Sequence, residues 1–284
     1  MSTTSQPPAR PLAPPEADPF RYGWRLVKTT LPDGTKGFDQ VPLTLEDVLH
    51  PEEGDFIIQT PKHVADWVYL NQVFQARLAD NPDAVVTSDC RISWGVPGPG
   101  AHGPDVAVFF GVRHRYDWGT FDVAAQGARP ALVIEVVSPD DRDNDVTVKV
   151  NHYHRAGVPQ YIIVDDLGTV EDRRLELVGY RDEPQGYRRQ RADERGWLWL
   201  GAVRLWLGVV GDRVACFDPE TALEIADYAT LTRDLAEANQ EIAAANQRSL
   251  EAQARAEAEA QERAALEARL RDLEAELRRL RGEP

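Results

Sequence analysis

Cysteine is scarce: Cys90 and Cys216 are the only two in 284 residues, far apart and matching no metal-ligand spacing. No disulfide framework is expected, and both read as small buried apolar residues of a reducing compartment. Long apolar runs are missing as well. None approaches the roughly 20 residues a spanning helix needs, so no membrane attachment is expected. The opening stretch "MSTTSQPPARPLAPPEADP" lacks the apolar core of a signal peptide, which makes the cytoplasm the expected location. Positive charge is also in deficit, with 32 Lys and Arg against 47 Asp and Glu and a net charge of −15. The tail from Leu231 onward holds 12 acidic and 9 basic residues, so −12 belongs to the first 230 positions. A surface that coats nucleic acid indiscriminately is excluded; DNA binding would need a local basic groove, a bound metal or a partner.

What remains is enough for a real core. Hydrophobic residues make up 42% of the chain, which suits one sizeable domain with appendages. Residues 1–19 are Pro-rich and aperiodic and are expected to be a disordered leader. Residues 20–228 alternate strand and helix signals. "WRLVKTTLPDGTKGFDQVPL" predicts two extended segments around a Pro-Asp-Gly turn, and "TLEDVLH" a short helix capped by Thr44. Val64, Trp67, Val68, Leu70, Val73, Phe74 and Leu78 recur at helical spacing until Asn81-Pro82 stops them. Strands are expected at "AVVTSDCRISW", at 105–112, at 131–137 and at 160–166, with a helix over about 145–156 ended by Gly157. Further β signals follow to Tyr228. The fold class is α/β: a mixed central sheet flanked by helices, with one strand–helix–strand crossover and a β-rich C-terminal extension.

Residues 229–284 differ in kind, being rich in Ala, Glu, Arg and Gln. Leu231, Leu235, Ala238, Ile242, Ala245, Ser249, Ala252 and Ala256 step by four and three. The same frame passes Glu259 and Arg263 and lands on Leu266, Leu270, Leu273, Leu277 and Leu280. That is a heptad seam, and it predicts a long coiled-coil-like helix through which the chain forms a homo-oligomer, expected to be a dimer.

One residue is out of place in this pattern. Glu135 lies within the apolar run 131–137, where a carboxylate loses its hydration at a cost of several kcal/mol unless a partner compensates. One resolution is an ion pair with Arg113 or Arg142. The other is a metal: Asp105 opens another apolar strand, and if the two strands are neighbours their carboxylates converge and repel unless a divalent cation neutralises them. Oxygen-only ligation suits Mg²⁺ or Mn²⁺. Asp145, Lys149 and Tyr153, spaced by four, share one face of the following helix, one loop from the end of the Glu135 strand. A lysine beside such an ion stabilises an attacking hydroxide and the charge developing on phosphorus. The simpler reading of Asp145 and Lys149 is an ordinary surface pair.

Taken together, "GPDVAVFFG" and "RPALVIEVVSPDDRDNDVTVKVNHYHRAGVPQYIIVDD" resemble the Uma-type putative restriction endonucleases, a bacterial family of the PD-(D/E)xK nuclease superfamily. The resemblance covers roughly residues 40–228 and is densest over 104–166. It implies that Asp105 and Glu135 are metal ligands, with the Val136 backbone carbonyl a further one. The superfamily's lysine stands two residues after the acid; here that place is Val137, and Lys149 on the next helix is its counterpart. His63 matches a histidine common near the start of such domains, and His63, Asp145 and Asp165 are expected to support the site from behind.

The function expected is therefore Mg²⁺-dependent (or Mn²⁺-dependent) hydrolysis of phosphodiester bonds in DNA. Asp105, Glu135, Lys149 and Tyr153 would act at the centre. Two alternatives stand beside it: a catalytically inactive nuclease-fold scaffold, which the acidity favours, and a metal-dependent hydrolase of a small phosphate ester.

Overall fold

The 131–137 run becomes the middle of a sheet because its β-branched residues are apolar on both sides of the pleat. The computed structural model describes residues 18–49, 52, 54–97, 100–114, 118–137, 144–168 and 172–281. The expected leader at 1–19 and the polar loop at 138–143 lie almost wholly outside the described residues. The chain divides into two units, Met1–Ile225 and Ala226–Pro284.

The first unit opens with a hairpin of β1 (Gly23–Thr30) and β2 (Lys36–Pro42). Its Pro-Asp-Gly turn is held by Asp33, whose Oδ1 accepts from the Thr35 amide and hydroxyl. Gly34 at φ +86° supplies the left-handed step. Thr44 and Asp47 cap each other around α1 (Leu45–Leu49), and β3 (Asp55–Ile57) adds to the free edge of β1. Next, α2 (Pro61–Arg77) starts on the Thr60 hydroxyl with Pro61 in its first turn, and it buries Tyr69, Leu70, Val73 and Phe74 on one face.

The expected strand at "AVVTSDCRISW" is two strands. Asp89 takes a left-handed φ of 49°, which no strand can continue through, so β4 (Ala84–Thr87) ends before it. The segment β5 (Arg91–Ser93) instead pairs in parallel with β7 (Thr120–Asp122) in a separate small sheet. The central strands are β6 (Val106–Phe110), β8 (Pro130–Val137) and β9 (Gln160–Asp166). Before β8 lies the single-turn α3 (Val123–Gln126). Between β8 and β9 the chain makes a π-helical turn at Asn144–Val148 and then α4 (Lys149–Arg155). This is the expected crossover, since β8 and β9 are parallel. With β10 (Leu175–Glu183) and β11 (Gly186–Arg189) the sheet has six strands in the order β11-β10-β9-β8-β6-β4. The extension β12 (Leu198–Leu200), β13 (Leu205–Val210) and β14 (Arg213–Phe217) forms its own antiparallel sheet.

Two cores sandwich the six strands. On one face Ile134, Val136, Ile162 and Val164 pack with Leu70 and Phe74 of α2 and with Leu198, Leu205 and Leu207 of the extension. On the other, Val133, Val137, Tyr161 and Ile163 pack with Phe121, Tyr153 and Val158. Period-two alternation therefore sends Glu135 to the α4 side. Both cysteines are buried.

The first face is locked by a buried ionic knot. Arg173 donates to Asp66 of α2 (2.7 Å) and Asp166 of β9 (2.9 Å), and Asp66 also accepts from the Val214 amide of β14 at 3.2 Å. Asp66→Ala would leave the buried guanidinium without one of its two carboxylate partners. A loss of about 3–5 kcal/mol is expected, read as a lowered urea midpoint; a change under about 1 kcal/mol would show that the knot does not hold α2 to the sheets.

The second unit is α5 (Tyr228–Arg281), one helix of 54 residues with none buried. Asp227 caps it by accepting from the Thr230 amide at 2.7 Å. No helix among the described residues is long and apolar enough to cross a membrane.

Candidate active site at the Asp105–Glu135 strand ends

The antiparallel ladder of β6 and β8 pairs Val106 with Ile134, and one step further the same register sets Asp105 level with Glu135. Asp105 stands just ahead of β6, and its Oδ2 accepts the Val136 amide at 2.7 Å. That bond ties the first carboxylate to the strand bearing the second. Both are buried, at 8% and 4% exposure. Two desolvated acids on adjacent strand ends need compensation, and the chain supplies it from two helices.

From α4, the Lys149 ammonium stands 3.1 Å from Glu135 Oε1, and the Tyr153 hydroxyl donates to the same oxygen at 2.5 Å. These side chains are one helical turn apart, so they approach Glu135 from the same face. The partner of Glu135 is thus Lys149 with Tyr153 rather than Arg113. The Arg113 guanidinium lies instead at the α3 end, 3.5 Å from the Ala125 carbonyl. Arg142 lies outside the described residues. From α2, His63 Nε2 sits 3.1 Å from Asp105 Oδ1, with the His63 amide held by the Thr60 cap at 3.2 Å. Burial opposes charge on this imidazole. The hydrogen bond and charge of Asp105, with Glu135 beyond it, outweigh that cost and raise its pKa above the ordinary histidine value.

The other expected residues divide. Val136 is buried at the site, with its side chain on the face opposite Glu135. Asp165 is buried in β9 level with Val137, at the same end of the sheet, where a supporting position was expected. The side chain of Asp145 lies outside the described residues. The helix expected over 145–156 is also not uniform. Its first turn is π-helical, so α-spacing from Asp145 to Lys149 does not apply there.

Two features escaped the sequence reading. Asp89, at the left-handed turn after β4, lies close enough to Asp105 that desolvation and the Asp105 charge push its carboxyl pKa upward, although one side stays open to solvent. Only its turn conformation could have drawn attention to it. The second is a chain of rings. Trp94 Nε1 donates to His102 Nδ1 at 2.8 Å, and His102 Nε2 lies 3.0 Å from His152 Nδ1. An indole can only donate, so His102 Nδ1 accepts and its proton resides on Nε2, directed at His152. Trp94 and His102 also pack on Tyr153 with centroids 5.5 and 5.2 Å away. The loop before Asp105 is thereby joined to the helix bearing Lys149. No spacing in the sequence links 94, 102 and 152.

Chemically, Asp105, Glu135 and the Val136 carbonyl offer hard oxygen donors from two adjacent strands, the set that fits Mg²⁺ or Mn²⁺. No group of three His, Cys, Asp or Glu side chains converges for a metal among the described residues. Mg²⁺ is commonly held by one or two carboxylates and takes its other ligands from water and substrate phosphates.

The Uma2 family, described as putative restriction endonuclease, matches residues 52–209, more than half of the chain. A crystal structure of a putative nuclease belonging to DUF820 from Anabaena variabilis ATCC 29413 is similar at 18% identity. The match covers 57% of this chain and 92% of that one, with a TM-score of 0.40. No curated protein matches.

Because Lys149 and Tyr153 act on one oxygen, their effects on stability should be coupled. In a double-mutant cycle, Lys149→Met and Tyr153→Phe are expected to deviate from additivity by about 0.5 kcal/mol or more. Strict additivity in urea unfolding would show that the two do not share Glu135 in solution.

Proposed function

The chain belongs to the Uma2 family of putative restriction endonucleases, and we propose that it cleaves DNA by divalent-metal-dependent phosphodiester hydrolysis at the Asp105–Glu135 edge. The observation that carries this reading is the burial of two carboxylates level with one another on adjacent strands, with Lys149 against one of them. A fold without chemistry to perform gains nothing from that arrangement, because apolar residues would fill the same places at lower desolvation cost.

Asp105, Glu135 and the Val136 carbonyl would hold Mg²⁺ or Mn²⁺. A divalent ion there supplies positive charge that acidifies a water and offsets charge on the phosphate. The remaining work falls to the chain's own groups. Lys149, fixed by Glu135, is placed to orient the attacking water and to stabilise the negative charge that develops on the phosphoryl oxygens. Tyr153 holds the Glu135 carboxylate in a single rotamer and so aims both it and Lys149. His63 does the same for Asp105 from the first turn of α2, and Asp165 backs the site from β9. Cutting both strands of a duplex calls for two such centres, and the tail helix would bring two copies together.

A net charge of −15 favours a second reading, hydrolysis of a small phosphate ester, since that substrate needs no basic track. One set of assays separates the readings. Glu135→Ala should abolish Mg²⁺-dependent cleavage of a mixed pool of DNA substrates while leaving the circular dichroism spectrum unchanged, and excess EDTA should do the same to the parent protein. Undiminished cleavage by the variant would sink the proposed site. An intact protein that hydrolyses a small phosphodiester but leaves every DNA untouched would favour the second reading.

A further inference from the structure

A 54-residue helix without one buried residue is an incomplete structure. Five leucines, Leu266, Leu270, Leu273, Leu277 and Leu280, lie along one stripe, each more than half exposed. Water-exposed apolar area in such a contiguous seam marks a surface built for a partner. Stepping four and three, Leu266, Leu273 and Leu280 take the d positions of a heptad, and Leu270 and Leu277 the a positions.

We infer that α5 pairs with α5 of a second copy of this chain as a parallel, in-register, two-stranded coiled coil. This rests on the dimeric reading given above and adds its orientation and register. The charges flanking the seam decide the orientation. Arg269 and Glu276 occupy g positions; Glu267, Glu274 and Arg281 occupy e positions. In a parallel in-register pair, each g residue faces the e residue five places on in the second copy. Arg269 then meets Glu274, and Glu276 meets Arg281, each twice by symmetry. Glu262 opposite Glu267 is the repulsive exception.

An antiparallel pair fares worse. There g faces g and e faces e, so overlapping the leucine segments sets Arg269 against Glu276 but Glu267 against Glu274. It also drives Leu280 onto Arg263, losing a leucine layer. In the parallel register all five leucines meet their own kind.

The number of strands follows from Glu259 at d and Arg263 at a, directly before the leucines. In a two-stranded coil such long side chains reach water along the groove beside the seam. Wider bundles would enclose them, at the cost of burying charge. Further upstream, Ala238, Ala245, Ala252 and Ala256 with Ser249 keep the seam narrow, which lets the two backbones run close without a second leucine block.

Polarity has a direct consequence. A parallel pair sets the two Tyr228 ends beside each other, about 10 Å apart. An antiparallel pair could part them by the helix length, about 80 Å. In the parallel pair the two chains therefore enter α5 side by side.

The full-length protein tests this without any reference to cleavage. Light scattering should give twice the 31.8 kDa chain mass. Ser249→Cys retains every leucine and places one thiol at an a position, so mild oxidation should link it to its own counterpart as a disulfide dimer. The parent chain should not crosslink, because Cys90 and Cys216 are buried. Glu274→Arg should weaken the dimer about tenfold through two lost attractions and two new repulsions, and adding Arg269→Glu should restore it. A monomer, a trimer or tetramer, a dimer in which the Ser249→Cys variant fails to crosslink, or a double variant no better than Glu274→Arg alone would each overturn the inference. Loss of nuclease activity in Glu135→Ala would leave all of these readouts unmoved.

Discussion

The desolvation of Glu135 is the constraint around which this molecule is arranged. A carboxylate in the middle strand of a six-stranded sheet is tolerable only if charge and hydrogen bonds are brought to it. Lys149 and Tyr153 provide them, which requires that α4 return across the sheet face directly after β8. The parallel crossover to β9 is therefore the route that puts the compensating groups where they are needed, besides being the ordinary way to connect two parallel strands. Asp105 extends the same logic to β6, since its bond to the Val136 amide fixes how the two strand ends meet.

The supporting structure can be read as successive restraints on those few atoms. On one face α2 is fastened through Asp66, Arg173 and Asp166, and α2 in turn presents His63 to Asp105. On the other, Trp94, His102 and His152 run from the small β5–β7 region to α4, and their rings bear on Tyr153. A lysine set on a neighbouring helix has a longer lever than one two residues along the same strand, so its aim depends on how firmly the helix is held. These rings and the buried Tyr153 give α4 that anchorage.

Much of this was legible in the amino-acid order. The 131–137 run, the helix of Leu70 and Phe74 and the paired strands all follow from periodicity, because burial on one or both faces leaves a direct mark on residue type. The oddity of Glu135 was legible for the same reason: a charge among β-branched residues is visible. Its partner was not. Arg113 was as open a choice as Lys149, and only the crossover brings the lysine to Glu135 while Arg113 lies at the end of α3. The break at Asp89 was hidden because a left-handed residue in a polar pair resembles any strand end. The ring chain was hidden because Trp94 and His102 lie in the connection before β6 while His152 comes from α4, far on in the sequence. The family likeness carried what spacing could not, the expectation that a lysine can stand on the helix rather than two residues past the acid.

The π-helical turn at Asn144–Val148 leads directly into α4. Such a turn holds an extra residue compared with an α-helical one, and that residue sets the rotation at which α4 begins. Each residue of an α-helix advances its side chain by about a quarter-turn or slightly more, given 3.6 per turn. The direction in which Lys149 points is thus counted out by the residues between the end of β8 and the start of α4. Surface connections elsewhere drift in length at little cost. In this one, the number of residues sets where Lys149 points as much as their identity does.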